Sequence, residues 1–281
     1  MRPDTELLMN TEIIELQYGK NWARLYRADC LDLLLTLEAQ SIDAILTDLP
    51  YGTTACSWDI IIPFAPMWKA VRHVLKPRGV FVTTASQPFT SLLVASNLAW
   101  FKYCWVWDKH LPIGFLDANR KPLKRHEDIA VFSENGHAYN PQKTAGKPYH
   151  KGKRALTPSY GAYVCLEGHN ESGDRFPTTI IDISNADRNK DGHPTQKPVA
   201  LYEYLARTYT SEGDMILDFC MGSGTTGLAA LKLHRNFIGV EIDRHWFDVA
   251  RKRLEGFTAQ PELPLEEVME DIHPISLDFF T

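Results

Sequence analysis

The sequence lacks the patterns of disulfide-rich, zinc-binding and membrane-spanning proteins. Its five cysteines, Cys30, Cys56, Cys104, Cys165 and Cys220, are odd in number and widely spaced, and they form no CxxC pair or Cys/His cluster. No apolar run approaches the roughly 18–20 residues of a membrane span. The acidic, broken N-terminus does not resemble a signal peptide. These absences predict a cytoplasmic protein with no metal site and no membrane partner.

One segment is basic in an otherwise acidic chain. Lys109 to Arg154 contains ten Lys/Arg and four Asp/Glu, although the chain as a whole has a formal net charge of −5. By contrast, Ala259 to Thr281 has six acidic residues and neither Lys nor Arg. A localised polyanion-binding face would produce this asymmetry, and so would a solvated basic loop.

The rest of the chain alternates between short apolar runs and helical patterns. This alternation predicts an α/β fold with a doubly wound, mostly parallel sheet. The predicted strands are Ile42–Thr47, Val80–Thr84, Tyr103–Trp107, Ile129–Phe132, Met215–Phe219 and Phe237–Glu241. The predicted helices run from Phe64 to Leu75, from Pro198 to Arg207, onward from Gly224 and onward from Asp243.

One strand–turn–helix segment, MILDFCMGSGTTG (Met215–Gly227), has the form of a ligand-binding loop. Its glycines allow close backbone approach, and the helix start offers free N–H groups. No GK[ST] follows, and Asp218 would repel a pyrophosphate. Glu241 ends the next strand, where an acid accepts hydrogen bonds from ribose hydroxyls. A ligand with a ribose diol and a cationic group, such as S-adenosylmethionine, suits these residues.

A second acidic strand end occurs in AILTDLPYGTT (Ala44–Thr54). Asp, Pro and Gly are all turn formers, so an ordinary β-turn accounts for the composition. In a doubly wound sheet, however, this strand end opens at the same carboxyl edge as the glycine turn. Asp48 and Asp218 are therefore predicted to flank one crevice, although they are 170 positions apart.

Several motifs together resemble one family. These are TDLPYG (47–52), HPTQKP (193–198), DFCMGSGTTG (218–227) and GVEID (239–243), with RADCLDLL (27–34) and WVWDK (105–109) in addition. In this order they resemble the permuted, β-type DNA amino-methyltransferases of the adenine-N6/cytosine-N4 family. The resemblance spans Leu25 to Leu254 and implies a seven-stranded-type methyltransferase sheet, S-adenosylmethionine as cofactor and double-stranded DNA as substrate.

The resemblance also implies site residues. Those expected to bind the cofactor are Asp29, Thr195, Lys197, Asp218, Phe219, Gly222, Ser223, Gly224, Thr225 and Glu241. Asp29 is expected near the adenine amino group, Glu241 at the ribose, and Lys197 at the methionine carboxylate. The catalytic residues are expected to be Asp48, Leu49, Pro50 and Tyr51.

The catalytic motif implies a direct, in-line transfer of the methyl group to an exocyclic amine. The Asp48 carboxylate and the Leu49 carbonyl would accept the two amine hydrogens, Pro50 would stiffen the turn, and Tyr51 would stack on a base rotated out of the duplex. Leu49 replaces the proline usual at that position, but its carbonyl oxygen is retained.

The resemblance predicts a division of the chain into four parts. Residues 20–108 would form the catalytic half, 109–192 an inserted recognition region with a core strand near 128–132, 193–257 the cofactor-binding half, and 258–281 an acidic tail. The predicted DNA contacts in the insertion are Arg120, Lys121, Lys124, Arg125, Lys147, Lys151, Lys153 and Arg154. The resemblance also allows a homodimer and a cognate restriction endonuclease as partners.

Adenine-N6 methylation is the expected activity, because Asp at the first motif position favours adenine and Ser there would favour cytosine-N4. A catalytically inactive nucleic-acid-binding relative would keep the fold without the reaction. A nicotinamide dehydrogenase would also use a glycine turn and a ribose acid, but it leaves DLPYG and HPTQKP unexplained.

Overall fold

The computed structural model describes residues 11–54, 56, 59–152, 168–185 and 196–262, and its largest element is a nine-stranded sheet. The strands are β1 Glu12–Tyr18, β2 Asn21–Arg27, β3 Ile42–Asp48, β4 Leu75–Ala85, β5 Phe101–Ile113, β6 Lys124–Phe132, β7 Tyr149–Lys151, β8 Gly168–Asn170, β9 Ile180–Asp182, β10 Met215–Asp218 and β11 Asn236–Glu241. The helices are α1 Cys30–Leu34, α2 Phe64–Val74, α3 Phe89–Ser96, α4 Val199–Tyr209, α5 Thr225–Lys232 and α6 Arg244–Thr258, with a short 3-10 helix at Phe115–Asp117. None of these helices has the length and apolar character needed to cross a membrane.

The large sheet has the order β1-β2-β11-β10-β3-β4-β6-β5-β9. The neighbours from β2 to β4 pair in parallel, whereas β6 runs antiparallel to both β4 and β5. The seven strands from β2 to β5 form the expected methyltransferase-type sheet, and β1 and β9 extend its two edges. The prediction of a mostly parallel α/β sheet is confirmed.

Helices cover both faces of this sheet because its strands are apolar on both sides. In β3, Ala44 and Leu46 belong to the core shared with α4, α5 and α6, whereas Ile45 belongs to the core shared with α1, α2 and α3. Both cores are built from fully buried side chains. A strand buried on both faces reads as a continuous apolar run, which is why β3 could be recognised in the sequence.

The N-terminal hairpin was not predicted. Strands β1 and β2 pair antiparallel across a turn at Gly19, which has φ +56°, and β2 then pairs in parallel with β11. More and less buried residues alternate along most of both strands, but the polar and apolar residues do not, since β1 reads EIIELQY and β2 reads NWARLYR. The sequence therefore lacks the strict two-residue period that would have identified them. Helices α1 and α3 were also missed because they are only five and eight residues long.

Residues 141–152 and 168–178 belong to a second compact unit, and the remaining described residues belong to the first. In the second unit, β7 and β8 pair antiparallel, and Arg175 lies 4.6 Å from the centre of the Tyr149 ring. Residues 109–140 of the predicted insertion belong to the first unit. Residues 263–281 of the predicted acidic tail lie outside the described residues.

Two helical glycines provide a test of the packing between the sheet and its helices. A Cβ on Gly227 in α5 would lie 2.7 Å from the Phe237 ring and 2.9 Å from Leu254, whereas a Cβ on Gly256 in α6 would meet nothing within 4 Å. We expect Gly227→Ala to lower the free energy of unfolding by about 1–2 kcal/mol through overpacking. The measurement is urea unfolding at neutral pH.

Gly256→Ala is the matched control. This change should raise the free energy of unfolding by about 0.5–1 kcal/mol, because alanine favours a helix and the position is open. Equal effects of the two substitutions would contradict the packing described for α5.

Candidate active site

The two acidic strand ends lie side by side. Strand β3 pairs in parallel with β10, so that Leu217 is opposite Ile45 and the two strands end at the same edge. The Thr47 hydroxyl donates to the Asp218 carboxylate at 2.7 Å, which joins the residue before Asp48 directly to the second acid. Residues 171 positions apart are thus hydrogen-bonded because parallel strands present their carboxyl ends together.

The Asp48 carboxylate already has partners on both oxygens. Oδ1 accepts hydrogen bonds from the Tyr51 hydroxyl at 2.8 Å and from the Thr84 hydroxyl, and Oδ2 accepts one from Lys197 Nζ at 2.5 Å. Thr84 lies directly opposite Asp48 on the neighbouring strand β4. The carboxylate is therefore fixed in orientation by three donors from three different segments.

Lys197 connects Asp48 to a second buried carboxylate. Its ammonium lies 3.5 Å from Glu127 Oε2, and Lys109 Nζ donates to Glu127 Oε1 at 2.8 Å. Burial alone would lower the pKa of Lys197, but the charges of Asp48 and Glu127 outweigh it and raise that pKa. These two carboxylates and two ammonium groups form a neutral cluster, named here the Asp48–Lys109 cluster.

Glu127 is held ionised by the same cluster. Burial tends to raise the pKa of Glu127, but the charges of Lys197 and Lys109 exceed that effect and lower it to about 2. Sequence reasoning placed this residue in a basic surface window and missed its role. No signal in the sequence identified this role, because only the antiparallel pairing of β6 with β4 brings the start of β6 to the carboxyl edge of β4.

The ring of Tyr51 contacts both Phe89 and the Lys197 ammonium. It stacks on Phe89 with ring centres 5.2 Å apart and planes at 28°, and Lys197 Nζ lies 5.7 Å from the centre of the ring. Burial and the Asp48 charge raise the pKa of the Tyr51 hydroxyl well above 10, so it remains a hydrogen-bond donor. Leu49 packs its side chain into the core at 3% exposure, which explains how leucine replaces a proline here.

The segment after Tyr51 is held by a carboxylate that sequence reasoning also missed. Asp59 accepts hydrogen bonds from the backbone N–H groups of Gly52, Thr53 and Thr54 at 2.8, 2.9 and 2.7 Å. Burial acts to raise the pKa of Asp59, but these donors and the Thr54 hydroxyl lower it overall. The turn that presents Tyr51 is thus fastened on its C-terminal side.

The glycine turn follows β10 as predicted. Gly222 and Gly224 have φ values of +49° and +77°, the left-handed region that favours glycine. A Cβ on Gly224 would also lie 2.8 Å from Leu254, so this glycine is required both for conformation and for packing against α6.

Asp218 holds the glycine turn in place through hydrogen bonds. Its oxygens accept hydrogen bonds from Thr47, from the Thr226 hydroxyl at 2.6 Å and from the Cys220 N–H at 3.1 Å. Burial raises the pKa of Asp218 to about 7 in spite of these donors. With only 2% of the residue exposed, Asp218 organises the turn, and its direct contact with a ligand cation stays a prediction.

Glu241 fastens the turn from the neighbouring strand end. Its oxygens accept from the Gly222 N–H at 2.9 Å and the Asp243 N–H at 2.8 Å, and burial raises its pKa. Asp29 lies at the end of the adjacent strand β2, where the Ala28 N–H donates to the Glu241 carbonyl. Asp29 is exposed and caps α1 by accepting from the Leu31 N–H at 2.8 Å.

The remaining predicted cofactor residues are less open to a ligand. Phe219 is buried and stacks on Phe81 with ring centres 6.2 Å apart. Ser223 donates to Gln196 at 3.2 Å, and Arg253 donates to the hydroxyls of Ser223 and Thr225 at 3.0 and 3.3 Å.

The predicted DNA-contacting residues are dispersed. Arg125 pairs with Asp108 at 2.7 Å, whereas Lys124 is half-buried, contacts the Ser86 hydroxyl and has a pKa lowered by burial. Arg120 and Lys121 are exposed near Asp117 in the first unit. Lys147 and Lys151 are exposed in the second unit. Thr195, Lys153 and Arg154 lie outside the described residues.

The fold and the site together define a class of protein. A doubly wound sheet with a glycine turn after one strand and an acid at the end of the next is typical of α/β enzymes that bind nucleosides. The Asp-Leu-Pro-Tyr turn lies on the adjacent strand end, where it resembles the catalytic motif of amino-methyltransferases.

Comparisons with known proteins give the family. A family model described as DNA methylase, N6_N4_Mtase, matches residues 42–252, and the chain belongs to this family of N6/N4 DNA methyltransferases. The Type II methyltransferase M.HpaI of Haemophilus parainfluenzae is 28% identical over 249 residues, which cover 83% of this chain and 74% of that protein. M1.MboII of Moraxella bovis is 26% identical, with 81% of this chain and 94% of that protein covered.

Solved structures agree with this assignment. The M1.HpyAVI–SAM complex is 26% identical with a TM-score of 0.56, and the match covers 82% of this chain and 99% of that one. The cytosine-N4-specific PvuII DNA methyltransferase shares the fold at 18% identity and a TM-score of 0.61, with 90% of this chain and 94% of that one covered.

The Asp48–Lys109 cluster is tested by replacing Glu127. We expect Glu127→Gln to lower the free energy of unfolding at pH 7 by about 3 kcal/mol, because it leaves two buried ammonium groups facing one carboxylate. Since the folded-state pKa of Glu127 is about 2 against an ordinary 4.5, its stabilising effect is complete above pH 4.5 and is lost as the pH falls toward 2. The measurement is urea unfolding of both proteins from pH 7 downward.

Glu134→Gln is the control for this prediction. Glu134 pairs with Arg72 at 2.9 Å, but both side chains are largely exposed, so the change should cost less than about 1 kcal/mol. If Glu127→Gln cost no more than this control, the cluster would not contribute to stability as described.

Proposed function

We propose that the protein transfers a methyl group from S-adenosylmethionine to the N6 amino group of adenine in double-stranded DNA. Membership of the N6/N4 DNA methyltransferase family makes the chain a DNA methyltransferase with S-adenosylmethionine as its cofactor. The observation that carries the adenine assignment is the carboxylate of Asp48 at the end of β3, beside the glycine turn. Asp at this position favours adenine over cytosine, for which Ser would be expected.

The residues at the carboxyl ends of β2, β10 and β11 fit such a cofactor. Glu241 accepts one backbone N–H on each oxygen, and each oxygen has a further lone pair for a ribose hydroxyl. Exposed Asp29 lies at the neighbouring strand end, and Ile242 presents an apolar side chain, 61% exposed, next to Glu241. In this proposal Glu241 holds the ribose, Asp29 the adenine amino group and Ile242 the face of the purine. When bound, the cofactor supplies an electrophilic methyl group.

The chain's own residues would activate the amine. Asp48 and the Leu49 carbonyl accept its two hydrogens, which favours a pyramidal nitrogen whose lone pair is available for attack. Because Lys197 occupies Asp48 Oδ2, the amine must share or displace that contact. Glu127, 3.5 Å from Lys197, offers the ammonium a second carboxylate. Catalysis then rests on positioning and electrostatics, and the proton is lost to Asp48 or to water.

We also propose partners and a location for the protein. The named relatives are Type II methyltransferases, which fits a cognate restriction endonuclease as partner. A homodimer is a further proposal, and the DNA substrate favours the cytoplasm. The exposed basic residues Arg120, Lys121, Lys147 and Lys151 are the candidates for phosphate contacts.

Identification of the methylated base tests the proposed function. The protein is incubated with unmethylated duplex DNA and isotope-labelled S-adenosylmethionine, and the DNA is digested to nucleosides for mass spectrometry. We expect labelled N6-methyladenine. N4-methylcytosine would replace the adenine assignment by the cytosine alternative, and no product on any DNA would favour an inactive DNA-binding relative.

Asp48→Ala tests the catalytic assignment. It should lower turnover by about 100-fold or more, because the amine loses one of its two acceptors, and should leave cofactor affinity nearly unchanged in calorimetry. Asp43→Ala is the control on the same strand, since Asp43 pairs with Lys76 at 2.7 Å at the opposite end of β3. Turnover by Asp48→Ala at the level of this control would rule out the assigned role.

A further inference from the structure

The connection between β5 and β6 extends well beyond the edge of the sheet. The last pairing of β6 with β4 joins Asp128 to Ala85, but the pairing of β6 with β5 continues to Lys124 opposite Ile113. Four further residues at about 3.4 Å each project the hairpin about 14 Å past the carboxyl end of β4. Residues 114–123, here named the hairpin tip, lie at its end.

The base of this hairpin is part of the active site. Lys109 on β5 and Glu127 on β6 belong to the Asp48–Lys109 cluster, in which Glu127 faces Lys197 and Lys197 faces Asp48. Lys109 is only 4% exposed. Buried ion pairs therefore tie the hairpin to the strand end that carries Asp48, and the tip projects from the same edge as the catalytic carboxylate.

The hairpin tip exposes large apolar side chains. Phe115 and Leu116 are 76% and 88% exposed in the 3-10 helix that follows Gly114, whose φ is +89°. Five of the sixteen exposed large hydrophobic residues in the described part of the chain lie between Leu111 and Leu123. A concentration of this kind marks an interaction surface.

The charge beside these side chains favours a nucleic acid. Arg120 and Lys121 follow within the tip, with side chains 87% and 65% exposed. Both lie near the Asp117 carboxylate, at 3.8 and 3.4 Å, so two cations and one acid leave the tip with a net charge of +1. An interface between two copies of a protein usually buries about 800 Å² on each, whereas two projecting side chains bury only a few hundred. A narrow apolar point flanked by cations has the shape and charge of a side-chain wedge for duplex DNA.

We propose that Phe115 and Leu116 insert between base pairs of the duplex when the target base leaves the stack, while Arg120 and Lys121 hold the adjacent phosphates. This inference rests on the proposed function, because Asp48 reaches a base amine only after the base has been extruded. Apolar side chains that enter base steps occupy the vacated space and lower the cost of extrusion.

The test compares Phe115→Ala/Leu116→Ala with the unaltered protein on two duplexes of the methylated sequence. In one the target base is paired, and in the other it lies opposite an abasic site, where extrusion costs less. We expect the variant to lose about tenfold or more in methylation rate on the paired duplex and to regain nearly the full rate on the other. Fluorescence of 2-aminopurine at the target position should rise less with the variant on the paired duplex.

Leu98→Ala is the matched control, since Leu98 is 68% exposed and precedes the opposite end of β5. It should behave as the unaltered protein on both duplexes, and calorimetry with S-adenosylmethionine checks that all variants are folded. An equal loss on both duplexes, no loss on either, or a changed oligomeric state of the variant would overturn the wedge alone. No methyl transfer by the unaltered protein to any DNA would remove the proposed function and the wedge with it.

Discussion

The ion pair between Asp48 and Lys197 joins the parts of the chain on which the site depends. Lys197 is 7% exposed, its ammonium faces the carboxylates of Asp48 and Glu127, and Glu127 also faces Lys109. Buried positive and negative charges must be paired, because each buried ion without a partner would lower the stability by several kcal/mol. The requirement for balance fixes the relative positions of β3, β5, β6 and the start of α4 at one edge of the sheet.

The carboxylates at the carboxyl edge of the sheet fall into two groups: some hold the local backbone in place, and others remain accessible to a ligand. Asp218 and Asp59 hold backbone and hydroxyl groups, and they set the shape of the glycine turn and of the turn after Tyr51. Asp48 and Asp29 keep part of their surface accessible at the strand ends. Glu241 does both, since it fastens the turn through Gly222 and still has lone pairs for a ligand. Acids near a ligand site are therefore not all ligand contacts.

The antiparallel strand β6 gives this sheet a feature that a wholly parallel sheet could not have. Because its N-terminal end lies at the carboxyl edge of β4, its side chains enter the site and its hairpin projects outward from the same place. Glu127 and the exposed Phe115 are only twelve residues apart, yet one lies in the charge cluster and the other in solvent. One hairpin thereby supplies a buried carboxylate to the charge cluster and carries an exposed apolar tip.

The sequence by itself determined the central strands, the glycine turn and the proximity of Asp48 to Asp218. These follow from local signals, since doubly buried strands are continuously apolar and parallel strands share an edge. Only the tertiary structure decided which groups face each carboxylate. Glu127 and Lys109 looked like members of a basic surface segment, and Asp59 like an ordinary loop acid. Their roles depend on contacts between residues distant in the chain, and neither propensity nor spacing encodes the partner of a buried charge.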